Sequence, residues 1–287
     1  QQTGVLSCQL KSLQHDPHTP LHMNAIAPKT YIITGSSSGV GAACALKLAK
    51  AGHRVVINYH RSQALAEEVV QACQQAGADT LLVQADMAQE ADCVRLVNET
   101  VARFGHIDGL VNSAAITQFV PLAQLDALKT EDFLQIYNVN ALGPFHMMRA
   151  CEKHMPDGGA IVNVSSIAGQ IGSGSSIPYV LSKSALNTLT LTMARVLAPR
   201  IRVNAVLPGV LQGRWMRDGL GDQAYDHVMQ QYADKTALGK VAEPTHIADA
   251  VVWLLQPESM VTGQQIVVDG GFVLGKLPPP MTAAQDS

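Results

Sequence analysis

Short runs of apolar, β-branched residues alternate along the chain with longer stretches in which apolar residues recur every three or four positions. Residues 31–34 (Tyr-Ile-Ile-Thr) form the first short run, and an alanine- and leucine-rich helix is predicted over 39–51. A second strand at 55–59 leads to a helix over 62–76, whose apolar face is carried by Ala64, Leu65, Ala66, Val69, Val70 and Ala72. The alternation continues with strand 80–85, helix 89–104, strand 107–112, a long helix 129–154, strand 160–165, helix 178–197, strand 201–207, helix 245–255 and strand 265–268. Strands that are apolar throughout, separated by helices, predict a parallel sheet covered on both faces. The expected fold class is α/β, a doubly wound seven-stranded parallel sheet.

No Gly/Ser/Pro-rich linker divides residues 29–276, so they are read as a single domain. Pro17, Pro20 and Pro28 interrupt residues 1–28, which follow neither period and read as a flexible leader; residues 277–287 read as a C-terminal tail. His15, His18 and His22 stand at spacings that metal ligands can have, but no neighbouring segment supplies a rigid shell, so no metal is expected. Met23 is a candidate start of translation.

Composition narrows the function. Of 287 residues 47% are hydrophobic and 15% charged, enough to bury a core and too apolar for a disordered chain. With 20 Lys+Arg against 23 Asp+Glu there is no basic excess to neutralise a phosphate backbone, so nucleic acid is not an expected partner. No apolar run reaches the ~20 residues of a membrane span, and residues 1–23 lack the apolar stretch of a signal peptide. The five cysteines are scattered and form no CxxC pair, which fits a reducing, cytoplasmic setting.

The first strand runs into Thr34-Gly35-Ser36-Ser37-Ser38-Gly39-Val40-Gly41 and then directly into a helix. Glycines let the backbone turn tightly against a pyrophosphate, and the helix N-terminus adds free N–H groups and partial positive charge. In a strand–loop–helix unit this is the arrangement of a Rossmann dinucleotide site. The end of the second strand reads Tyr59-His60-Arg61-Ser62, and no Asp or Glu occurs between Gly35 and Ala66. A carboxylate there accepts the ribose 2′-OH of NAD, whereas basic and hydroxyl donors suit the 2′-phosphate of NADP. NADP(H) is therefore expected over NAD(H). Asp86, after the third strand, is a candidate acceptor for the adenine amino group or a helix N-cap.

Tyr179 and Lys183 lie four residues apart on a predicted helix that Pro178 could start, so they share one face. A free phenol, with a pKa near ~10, is a poor proton donor at neutral pH, and a nearby ammonium favours its ionised form. That pair suits a carbonyl reductase, which must protonate oxygen while hydride reaches carbon.

Taken together, Thr34-Gly35-xxx-Gly39-x-Gly41, Asn140, Ser166, Tyr179-xxx-Lys183, Pro208-Gly209, Thr262-Gly263 and Val267-Val268-Asp269-Gly270-Gly271 resemble the short-chain dehydrogenase/reductase family across residues 29–275. The resemblance is strongest to 3-oxoacyl-acyl-carrier-protein reductase-like members. It implies Tyr179 as general acid in reduction and base in oxidation, and Ser166 as a hydrogen-bond partner of the substrate oxygen. It implies Lys183 on the nicotinamide ribose and Asn140 holding a water that extends a proton relay. It further implies cofactor contacts from Gly35, Ser37, Ser38, Gly39, Val40 and Gly41 in the loop, and from Tyr59, His60, Arg61 and Ser62 at the second strand. Asp86, Met87, Asn112, Ala114, Tyr179, Lys183, Pro208, Gly209 and Val210 complete that set.

The chain departs from the family pattern in three places. It has Asn112-Ser113-Ala114-Ala115 where Asn-Asn-Ala-Gly is common, Ser38 where NADP-preferring members often carry a basic residue, and Gly213 where a nicotinamide-contacting Thr is often found. Residues 212–237 correspond to the family's mobile lid over substrate and equally fit a surface helix pair with its own apolar face. The implied activity is interconversion of a ketone and a secondary alcohol. A pteridine or C=N reductase (Tyr59-His60-Arg61-Ser62 is similar to the family's pteridine reductases) and a catalytically silent dinucleotide sensor remain as alternatives. A small carbonyl or alcohol is the expected partner, in a homotetramer or homodimer paired through 129–154 and 178–197.

Overall fold

The computed structural model describes residues 27–257 and 259–276. The tail at 277–287 and all but two residues of the expected leader, with Cys8, the three leader histidines and Met23, lie outside the described residues.

Seven strands form one sheet: β1 Thr30–Ile33, β2 Arg54–Tyr59, β3 Thr80–Gln84, β4 Gly109–Asn112, β5 Gly159–Val164, β6 Ile201–Pro208 and β7 Gln265–Val268. Their order is β3-β2-β1-β4-β5-β6-β7, and every pairing is parallel. Ile33 at the end of β1 pairs with Ile57 on one side and Val111 on the other. The chain winds outward from β1 in both directions, so a crevice opens at the carboxyl ends of β1 and β4, where doubly wound sheets bind ligands.

The helices are α1 Gly39–Lys50, α2 Gln63–Gln75, α3 Glu90–Phe104, α4 Thr130–Tyr137, α5 Gly143–Cys151, α6 Ala168–Ile171, α7 Ile177–Leu197, α8 Arg214–Leu220, α9 Asp222–Lys235 and α10 Pro244–Leu254. One face of the sheet is covered by α1, α2 and α10 through Leu48, Cys73, Ile247 and Val251. The other is covered by α3, α5 and α7 through Leu96, Phe104, Met147 and Met193. Apolar strands sandwiched in this way are buried on both faces, which explains runs such as Val55-Val56-Ile57, none of it exposed.

The long helix expected over 129–154 is interrupted. Residues Asn138–Leu142 form a π-helical turn between α4 and α5, and Glu152–His154 close the segment as a 3-10 turn. Two local causes stand out. Pro144 has no N–H to offer the carbonyl of Asn140 four residues earlier. The buried Asn140 amide is drawn sideways to the backbone of Ile116. π-turns of this kind concentrate at functional sites.

Residues 212–237 contain α8 and α9; α9 buries Tyr225, Met229 and Ala233 together with Val241, and Met216 and Leu220 of α8 pack against that cluster. Among the described residues no helix is long and apolar enough to cross a membrane.

Candidate active site

The glycine-rich loop joins β1 to α1 at the crevice. Gly35 has φ +62°, and a Cβ there would stand 2.6 Å from Cα of Ala114, so the loop lies flat on the segment that follows β4. Thr34 fixes the same contact: its Oγ1 accepts from the N–H groups of Ser113 and Ala114, both at 3.1 Å. Ser37 is half-buried, Ser38 and Gly39 are exposed, and Val40 and Gly41 begin the helix. No side chain caps α1, and its first turn holds no acid. Its N–H groups and positive end are therefore left for an anion.

This loop is fastened by a residue outside the glycine-rich motif. Asn58, 1% exposed, accepts from the Gly35 N–H at 3.0 Å through Oδ1. Its Nδ2 donates to the carbonyls of Tyr59, Val83 and Ala85 at 3.3, 3.3 and 3.1 Å. Ser36, fully buried, accepts from the Asn58 N–H at 3.0 Å and donates to Ile33 O at 2.8 Å. A single asparagine in an otherwise apolar strand was the available signal, because a buried amide must find partners.

At the far end of the crevice a cleft of about 390 Å³ is lined by His60, Arg61, Asp86, Gln89 and Asn138, among others. Tyr59 is 8% exposed with its ring packed into the core, so its side chain does not join the cleft. Arg61 is exposed and makes no ion pair among the described residues. Ser62 precedes α2 without a side-chain capping bond. Asp86 does not cap α3, whose N-cap is Gln89; its Oδ1 accepts from Ala88 N at 2.9 Å and its Oδ2 lies 3.8 Å from His60 Nε2. Met87 is buried beside it.

The catalytic candidates meet in the middle of the crevice. Ser176 caps α7, its hydroxyl accepting from the Tyr179 N–H at 3.4 Å, and the first two turns carry Tyr179 and Lys183 on one face. Both are buried. Lys183 Nζ donates to Val164 O at 2.9 Å, leaving two further N–H groups. Ser166, two residues past β5, accepts from Ala168 N at 3.1 Å. Burial pushes the Tyr179 phenol up to about 12, with the neighbouring Ser166 hydroxyl partly offsetting it, and pulls Lys183 down to about 7. The expected lowering of the phenol by the ammonium is thus not the dominant effect in this chain; desolvation outweighs it.

Asn140 stands against the same helix. Its Oδ1 accepts from Ile116 N at 2.8 Å, and its Nδ2 donates to Ile116 O at 2.9 Å and to Ser182 Oγ at 3.0 Å. Both amide hydrogens of that side chain are therefore used, and Pro144 has no N–H to give the Asn140 carbonyl. Ser182, not singled out from the sequence, donates onward to Tyr179 O at 2.8 Å. Asn112 donates to Asn163 Oδ1 at 2.8 Å, and its own Oδ1 is buried without a partner. Pro208 ends β6, its carbonyl accepting from Ile167 N at 3.0 Å; Gly209 lies against Asp269, and Val210 packs toward α9.

Residues 35–273 match the model of the enoyl-(acyl carrier protein) reductase family. The chain is 34% identical over 250 residues to the 3-oxoacyl-[acyl-carrier-protein] reductase of Staphylococcus aureus, covering 86% of this chain and 98% of that one. Among solved structures it is similar to a short-chain dehydrogenase/reductase from Serratia marcescens, at 32% identity and a TM-score of 0.77, covering 85% of this chain and 97% of the other. A blue fluorescent protein from a metagenomic library, solved in complex with NADPH, is 31% identical with a TM-score of 0.77 over the same shares.

Proposed function

The chain belongs to the short-chain dehydrogenase/reductase family and is an oxidoreductase of the carbonyl/alcohol couple; we propose that it acts as a ketone reductase preferring NADP(H), with Tyr179 as proton donor. The observation that carries this reading is the meeting of Ser166, Tyr179 and Lys183 at the carboxyl end of β5: the Ser166 hydroxyl neighbours the phenol, and Lys183 Nζ lies 5.7 Å from the phenol ring centre while bonded to Val164 O.

The residues fit a nicotinamide dinucleotide. The uncapped start of α1 suits the pyrophosphate, and exposed Arg61, with His60 and Ser62, suits a 2′-phosphate. The neighbour solved with NADPH supports the same preference. When bound, the nicotinamide supplies the hydride. Tyr179, held protonated by burial, gives its proton to the carbonyl oxygen. Ser166 donates a second hydrogen bond to that oxygen and orients it. Lys183 would hold the ribose with its spare N–H groups, and Asn140 would hold a water that extends a proton relay from the lysine.

Leu134 and Tyr137 of α4 and Leu181 and Val196 of α7 are large apolar side chains left exposed, which supports a homo-oligomer paired through these helices. Cys44, Cys73, Cys93 and Cys151 are free thiols, in keeping with a cytoplasmic setting. The deciding experiment follows NADPH and NADH oxidation with diketones, acetoacetyl thioesters and dihydrobiopterin. Ketone turnover favouring NADPH supports the proposal. Tight NADPH binding with no turnover, or turnover of the pterin alone, overturns it.

A further inference from the structure

We propose that Trp215 and Phe119 form an aromatic slot over Tyr179 that selects ketones carrying a planar aromatic ring; this rests on the reductase reading above. Residues 215 and 219 are four apart on α8 and so share one face. Trp215 meets the Tyr179 ring edge to face, centroids 6.0 Å apart at 77°. At the other end of that face Gly219 carries no side chain, and a Cβ there would stand 2.1 Å from the Phe119 ring. Phe119 therefore lies flat against the helix backbone, and α8 bridges from the proton donor to the loop after β4.

That loop is anchored. Val120 N donates to Ser175 O at 2.9 Å, and the hydroxyls of Thr117 and Ser175 are 2.6 Å apart. Phe119 is thus fixed to the segment just before α7, on which Tyr179 sits. The opposite side of α8 is occupied, since Met216 and Leu220 pack into the α9 cluster. Trp215 is nevertheless 47% exposed. A half-exposed indole beside the proposed proton donor, with a second ring held on the same helix face, offers stacking edges to a flat substrate.

The charges argue the same way. A carrier-bound acyl chain brings a phosphate and an acidic partner, yet both arginines of α8 are engaged locally. Arg214 lies 3.4 Å from Asp218, and Arg217 lies 2.9 Å from Asp222 and over the Tyr225 ring. The mouth of the site is aromatic rather than cationic.

The test compares kcat/KM for 1-tetralone, a bicyclic aryl ketone, with that for acetoacetyl-N-acetylcysteamine in the full chain. Trp215→Leu and Phe119→Leu keep apolar bulk and remove the ring. Each is expected to lower the aryl-to-aliphatic ratio about tenfold, and Trp215→Phe to restore part of it. A ratio unchanged in both leucine variants overturns the slot and leaves the reductase reading standing. Binding is read separately. The chain has two tryptophans, so Trp253→Phe leaves Trp215 as the sole reporter, and 1-tetralol is expected to change its emission saturably. If neither ketone nor thioester is reduced, the reductase reading fails, and this titration decides the slot: a saturable change supports it and a flat response overturns it.

Discussion

The Lys183 ammonium nitrogen lies 5.7 Å from the centre of the Tyr179 ring and spends one hydrogen bond on the carbonyl of Val164. At that separation the cation does not outweigh the loss of water around the phenol, which stays protonated with its pKa pushed up to about 12. A protonated phenol is the form needed to reduce a carbonyl. Tyr179→Phe is expected to keep the fold and cofactor affinity while lowering kcat by about 10²- to 10⁴-fold. Cofactor titration beside steady-state kinetics checks this, and retained turnover removes Tyr179 as the acid.

The lysine predicts a pH effect on stability in the cofactor-free protein. Its folded pKa is lowered from 10.5 to about 7. Between those values the unfolded chain binds the extra proton, so stability rises with pH across that window. Four buried thiols have raised pKa values and pull the other way above about pH 9. The difference between wild type and Lys183→Met cancels their share. From pH 7 to 9 wild type is expected to gain on the variant, by at most about 1.4 kcal/mol per pH unit. Urea unfolding at each pH measures it, and a constant difference contradicts a lysine buried near neutrality.

The strands were legible because residues such as Val55, Val56 and Ile57 are buried on both faces and leave an unbroken apolar run, with observed ends within two residues of the expected ones. Gly35, Tyr179 and Lys183 could be singled out because each answers a local chemical demand at fixed spacing, whereas Ser166 was a candidate through the family resemblance alone. What stayed hidden depends on partners distant in sequence. Asn58 is explained only by Gly35, 23 residues away, and by Ala85, 27 residues away. The break at Asn140 needs Ile116, and the burial that raises the phenol needs the whole sheet edge.

On the proposed reading, Arg61 would carry the cofactor preference. It is exposed at the end of β2 beside His60, with no ion pair among the described residues to satisfy it. A charge-assisted bond to a phosphate contributes about 1.5–3 kcal/mol. Arg61→Ala is therefore expected to weaken NADPH binding by roughly 10- to 100-fold and NADH by less than about threefold. Equilibrium binding of both cofactors decides it, because equal losses point to a distorted loop rather than a lost phosphate contact.

Asn58 offers the sharpest separation between holding the loop and performing chemistry. One oxygen accepts from Gly35, and one NH₂ group faces three carbonyls. Asn58→Asp keeps the shape but turns that donor into an acceptor, so carbonyl lone pairs meet a carboxyl group in a buried place. Asn58→Ala leaves the same groups unpaired at a cost of about 1–3 kcal/mol. Aspartate is expected to destabilise more than alanine, although it is the closer match in size. Both are expected to raise the cofactor Kd, because the Gly35 turn loses its anchor while Ser166, Tyr179 and Lys183 are untouched. At saturating cofactor kcat then returns to near the wild-type value. A kcat that stays low at saturation places Asn58 in the chemical step, and an unchanged Kd removes it from the loop.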